Sequence, residues 1–104
     1  MKLNFDSEAL RKFCRTRGIA RLELFGFATT QAFGSDSDVD LLCTLTAEKE
    51  TECGLLEWVD LQFGLEDIFG RPVDLVSRRA IEHSRNPYRK AAILAHPQLL
   101  YAEG

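Results

Sequence analysis

The sequence predicts a single α/β domain: a short sheet of three or more strands flanked by helices. Three observations carry that expectation. Short, nearly continuous apolar runs at residues 22–27, 39–45 and 73–76 read as strands. The segments around them place apolar residues at helical spacing, and Gly, Pro or a capping residue marks most changes of period. The chain of 104 residues is near the commonest size for one domain, and no repeat, low-complexity tract or second domain divides residues 1–104.

The elements follow in order. Asp6 or Ser7 can cap a first helix with Leu10, Phe13 and Cys14 on one stripe. Gly18 then ends it in the position where a left-handed residue commonly does so. Residues 22–27 form the first strand. Residues 28–37, rich in Thr, Gly, Ser and Asp, read as loop. The Val-Leu-Leu-Cys run of residues 39–45 reads as a second strand buried on both faces. Residues 46–51 read as a polar connection. Residues 52–69 are the longest helix candidate, with Leu55, Trp58, Leu61, Leu65 and Ile68 on one face. Trp58 and Phe63 are expected to pack in the core or a groove. Gly54 and Gly64 each weaken that helix by roughly 1 kcal/mol relative to Ala. Gly70 stops it, and Arg71-Pro72 forces an extended entry into the third strand, 73–76. Ser77 can cap a short turn through 78–82. Asn86-Pro87 sets a cap before a proline at the first helical position, opening a helix over 88–95 that His96-Pro97 ends.

Composition excludes several function classes. A formal net charge of −3 and a pI near 5.3 argue against a general basic coat for nucleic acid. A nucleotide or a basic protein partner stays compatible. Cys14, Cys43 and Cys53 are odd in number and lack a Cys-x-x-Cys spacing, so free thiols are expected rather than a disulfide frame or zinc site. The opening residues hold no apolar core, and no apolar run reaches membrane-spanning length. A cytoplasmic protein without a membrane partner is the expectation, with homo-oligomerisation left open.

The chemistry concentrates at Asp36-Ser37-Asp38-Val39-Asp40. A calcium loop fails here, because its sixth position must be Gly and is Leu41, and its twelfth must be Glu and is Ala47. A plain turn before a strand is the simpler alternative. Strand alternation, however, sends Asp38 and Asp40 to one side. Asp74 stands alone among apolar neighbours on a later strand, and a lone acid in a buried strand is costly unless paired or metal-bound. If Asp74 lies beside Asp38 and Asp40, three like charges converge. One or two Mg²⁺ ions would turn their repulsion into a phosphate-binding site.

On these residues the chain resembles the minimal nucleotidyltransferases (MNT) of the polymerase-beta-like superfamily, a group that includes antitoxins of HEPN-domain toxins. The family signature is Gly-Ser, ten residues, Asp-x-Asp, and a third acid on a later strand. Gly26, Asp38, Asp40 and Asp74 fall on those positions, and Gly70-Arg71-Pro72-Val73-Asp74-Leu75-Val76 and Asn86-Pro87-Tyr88-Arg89 are typical of the group. The resemblance spans roughly residues 21–101. It implies the small polymerase-beta-like fold with a mixed sheet, and Asp38, Asp40 and Asp74 as catalytic metal ligands. It also implies ATP or another NTP as substrate and a hydroxyl, a tyrosine of a HEPN-type toxin, as acceptor. The departure lies at Phe27 and Ala28, which replace the family's serine and the arginine that commonly follows it. Gly26, Phe27, Thr29 and Thr30 are the nucleotide-binding candidates, the threonines as substitutes for the missing hydroxyl. Two readings follow from the resemblance: a protein-modifying nucleotidyltransferase, and a catalytically impaired antitoxin or adaptor that neutralises its partner by binding alone. His83 and His96 read as surface or helix-end residues. The basic bias of Arg71, Arg78, Arg79, Arg85, Arg89 and Lys90 is compatible with a solvated face or with phosphate or partner docking. Tyr88 and Arg89 are expected to be structural.

Overall fold

The computed structural model describes residues 5–25, 38–94 and 97–103. The Asp6 Oδ1 accepts the Glu8 and Ala9 amides at 3.0 and 3.2 Å, which fixes the start of α1 (Ser7–Arg17). Gly18 closes that helix at φ 76°, a conformation that penalises any side chain. The chain turns at once into β1 (Ile19–Phe25), which begins three residues earlier than the apolar run indicates; the last two residues of the expected strand, Gly26 and Phe27, lie outside the described residues. β2 (Val39–Leu45) matches the expected strand.

Residues 46–51 are not a simple connection. Thr46 accepts the Lys49 amide and opens α2 (Ala47–Glu52), a helix with no buried residue. The long helix is therefore shorter than expected: α3 runs Leu55–Phe69, with Gly54 at its N-cap rather than in its interior. Gly54 carries no interior-glycine cost as a result. Gly64 is interior, and the Phe13 ring of α1 occupies the space where a side chain would stand. Leu61, Leu65 and Phe69 are buried. Leu55 is exposed and Phe63 is 58% exposed, so neither belongs to the core as expected. Gly70 ends α3 at φ 69°.

β3 (Val73–Ser77) is followed directly by α4 (Arg78–Glu82), whose Ala80 amide donates to the Ser77 hydroxyl. Asn86 Oδ1 accepts the Tyr88 amide and opens α5 (Pro87–Leu94), as the Asn-Pro pair indicates. The Tyr88 side chain is 86% exposed and has no packing role. A fourth strand, β4 (Gln98–Ala102), completes the sheet.

The sheet order is β3-β2-β1-β4. β1 is antiparallel to β2 and β4, while β2 and β3 run parallel, so the sheet is mixed as expected. The parallel step is made by the α2–α3 crossover, which a parallel pair requires. One sheet face packs on α1 and α3: Leu22, Leu24, Leu41, Cys43, Val73 and Leu75 meet Leu10, Cys14, Leu61 and Leu65 there. Cross-strand alternation sends Glu23, Phe25, Asp40, Leu42, Asp74 and Val76 to the opposite face. That second face is covered less fully. Among the described residues, no helix is long and apolar enough to cross a membrane.

Candidate active site

The second face is where the acids meet. β2 and β3 pair in parallel with Asp40 directly opposite Asp74, and Phe25 of β1 stands opposite Asp40 on the other side. Adjacent strands are about 4.8 Å apart, so the register makes the two carboxylates neighbours. Asp38 precedes β2 and is exposed, two residues from Asp40 and therefore on the same side. All three acids expected from the sequence thus share one edge of one face.

Local bonding explains this placement. The Val39 amide donates to the Pro72 carbonyl at 2.9 Å, which locks the entrances of β2 and β3 together. Glu66 Oε2 on α3 accepts the Val73 amide at 2.9 Å. With Val73 and Leu75 buried in the core, pleating leaves Asp74 projecting outward. Asp74 is exposed, so the burial cost expected from its apolar neighbours does not arise. Its environment is the neighbouring charge, not a dry core.

Asp40 feels that charge. Partial burial, then the Asp74 and Asp38 carboxylates, push its pKa above the ordinary aspartate value. Among the described residues, no group of three or more His, Cys, Asp or Glu residues stands ready to hold a metal ion. The acids form a charge-coupled group rather than a closed cage. Their chemistry still fits a hard divalent cation, because oxygen is the donor type that Mg²⁺ takes. The mutual repulsion at Asp40 is what a cation would relieve.

Gly26, Phe27, Thr29 and Thr30, the nucleotide-binding candidates, lie outside the described residues, as do Asp36, Ser37 and His96. Phe25, the last described residue before Gly26 in the chain, stands opposite Asp40. His83 is the exposed C-cap of α4, in keeping with a helix-end role. The three cysteines are free. Burial pushes the Cys14 and Cys43 thiols up to about 12, which keeps both protonated and unreactive at neutral pH.

One charged residue on this face is not apparent from sequence reasoning. Glu23 is 3% exposed on β1 and binds Arg78 at 2.6 Å and Arg21 at 3.3 Å. Arg78 also reaches Glu82 at 3.2 Å. Burial works against the Arg78 charge, but the bonds to Glu23 and Glu82 outweigh it and raise its pKa. This pair spans β2 and ties α4 to β1. Arg78 and, through Glu50, Arg79 are therefore engaged in ion pairs rather than free to bind phosphate. The only sequence signal was the acid between Leu22 and Leu24; its partner lies 55 residues away.

A mixed sheet of four described strands, with Asp40 and Asp74 paired across β2 and β3, defines a nucleotidyltransferase-like domain. The family model for the nucleotidyltransferase domain matches residues 7–100, and the chain belongs to that family. Solved structures agree. A structure described as a minimal nucleotidyltransferase is 28% identical, with 88% of this chain and 85% of that chain covered and a TM-score of 0.64. A toxin–antitoxin structure with AMP-PNP is 18% identical, covering 94% and 74% with a TM-score of 0.68. A Shewanella oneidensis structure of a tri-AMPylated HEPN toxin in complex with MNT antitoxin is 19% identical, covering 93% and 70% with a TM-score of 0.58. No curated protein matches the chain significantly.

Proposed function

We propose that this domain transfers a nucleoside monophosphate, AMP, from ATP to a hydroxyl of a partner protein. We further propose that the partner is a HEPN-type toxin and that this chain is its antitoxin. The observation that carries the reading is the Asp40–Asp74 register pair, with Asp38 beside it, in a chain of the nucleotidyltransferase family. The toxin–antitoxin reading draws on the fold neighbours, one of which holds a tri-AMPylated HEPN toxin and another AMP-PNP.

Asp38, Asp40 and Asp74 would hold Mg²⁺, which supplies charge neutralisation for a triphosphate. Only with that ion bound would the anionic edge that Asp38, Asp40 and Asp74 form on β2 and β3 take up a triphosphate. Exposed Asp74 takes the proton of the acceptor hydroxyl as its oxygen attacks the α-phosphorus. The bond from that phosphorus to the bridging oxygen breaks, and pyrophosphate leaves. Asp40, the least exposed of the three, acts as the fixed element, since β-strands hold it on both sides.

The test is incubation with α-labelled ATP, Mg²⁺ and the purified partner, comparing wild type with Asp38→Asn. Label should move to the partner with wild type and not with the variant. Transfer that survives Asp38→Asn would defeat the assignment. Tight partner binding without any transfer from wild type would favour the alternative that Phe27 and Ala28 suggest, an antitoxin acting by binding alone.

A further inference from the structure

The far end of β2 carries a surface that the transfer reading does not use. Leu45 closes the strand five residues beyond Asp40, about 17 Å away at the usual strand rise. There Leu45, Cys53, Gly54, Leu55 and Trp58, with Glu50 and Ser77, line a cleft of about 270 Å³. That is below the roughly 300–1,000 Å³ of a small-molecule pocket, and suits apolar side chains of a partner instead. Beside it, Leu55 and Leu56 open α3 at 79% and 87% exposure. Single exposed leucines are ordinary, but two consecutive ones next to an apolar cleft form a patch.

Charge selects the occupant. Residues 46–57 hold Glu48, Glu50, Glu52 and Glu57 against Lys49 alone, a net charge of −3 and thus as much as the whole chain carries. Lys49 is bound to Glu57 and Arg79 to Glu50. Glu48 and Glu52 have no ionic partner among the described residues. A second copy seated here would bring two such segments face to face.

We infer that this end of the domain docks a basic amphipathic helix of a partner protein. Its apolar residues sit on Leu55, Leu56 and the cleft, and its Lys or Arg side chains face Glu48 and Glu52. This is the helix-in-groove mode, with apolar anchors giving affinity and rim charges giving orientation. A helix bound there leaves Asp38, Asp40 and Asp74 open, so the inference stands apart from the transfer reaction.

Trp58 is the chain's one tryptophan, and because it lines the cleft its emission reports on occupancy. The probe is a Leu/Lys peptide of about 18 residues, long enough to be helical, with Leu at i, i+3, i+4 and i+7. The control replaces every Lys by Glu. The Lys peptide should change Trp58 emission saturably and bind more weakly as salt rises. Leu55→Asp or Leu56→Asp should weaken binding about tenfold, and Glu48→Lys with Glu52→Lys should weaken it as well. All four side chains are exposed, and far-UV circular dichroism with urea midpoints confirms folded variants. Equal binding of both peptides, binding unchanged by these substitutions, or no Trp58 response overturns the inference. A dimer in sedimentation that Leu56→Asp disrupts overturns it too, because the occupant is then a second copy.

Discussion

Asp40→Asn should make the metal-free protein more stable while removing its activity. Asp40 lies opposite Asp74 and two residues from Asp38, and both neighbours are exposed. Carboxylates about 5 Å apart repel by about 1 kcal/mol in water and about 3 kcal/mol at an effective dielectric of 20. Exposure of both neighbours places each pair near the lower figure, so neutralising Asp40 should gain about 1–2 kcal/mol. For a chain of this size each kcal/mol is about 4–8 °C in Tm. The pH dependence has a definite sign. The folded-state pKa of Asp40 is raised above 3.8, so the folded state binds the extra proton first and stability falls as pH rises through that raised value. The full cost is present at neutral pH and is relieved as pH drops toward 3.8. Urea unfolding in EDTA should therefore show Asp40→Asn ahead at pH 7, with the gap closing in acid. Mg²⁺ should narrow the gap at pH 7 by stabilising wild type alone. A variant no more stable than wild type at pH 7, or a gap that ignores pH, would refute the reasoning.

Three further outcomes are expected. Arg78→Ala leaves Glu23 buried with Arg21 as its remaining partner, and should cost about 3 kcal/mol in guanidinium unfolding; a loss under about 1 kcal/mol would show the pair to be incidental. Gly64→Ala normally favours a helix, but here the new Cβ would stand 2.6 Å from Phe13 Cζ and closer to Cε2. It should destabilise by about 1–3 kcal/mol, and Phe13→Ala in the same chain should make the Gly64→Ala change favourable in a double-mutant cycle. Phe27→Ser restores a hydroxyl at the family's serine position and should raise transfer about ten- to a hundredfold, the worth of one hydrogen bond to a charged group; an unchanged rate with labelled ATP would show that Phe27 is not what limits nucleotide use.

The sequence displays the acids' arrangement because it depends on short-range rules. Alternation on a strand puts Asp38 and Asp40 on one side, and Asp74 repeats the pattern between two core residues, so pairing β2 with β3 brings Asp40 against Asp74. The caps at Asp6, Ser77 and Asn86 are equally local and were readable for that reason. α2 was not. Its six residues have no apolar stripe, and it stands on the Thr46 cap plus ion pairs from Lys49 and Glu50 to Glu57 and Arg79. β4 is not legible in the sequence because Gln98–Ala102 is short, follows a proline, leaves Leu99 exposed, and becomes a strand by pairing with β1, some 75 residues earlier in the chain. Glu23 reads as an outward-facing polar residue between two leucines. Its burial comes with α4 packing on β2 and β3 and sending Arg78 across β2 to Glu23, a contact that no local spacing encodes.

The most direct measurement of the central claim is intact-mass spectrometry of the purified partner after incubation with ATP, Mg²⁺ and this protein. Wild type should add a nucleotide adduct to the partner. Asp40→Asn and Asp74→Asn should bind the partner as tightly, remain folded and add nothing. An adduct formed undiminished by either variant would contradict the assignment of catalysis to the acids that β2 and β3 bring together.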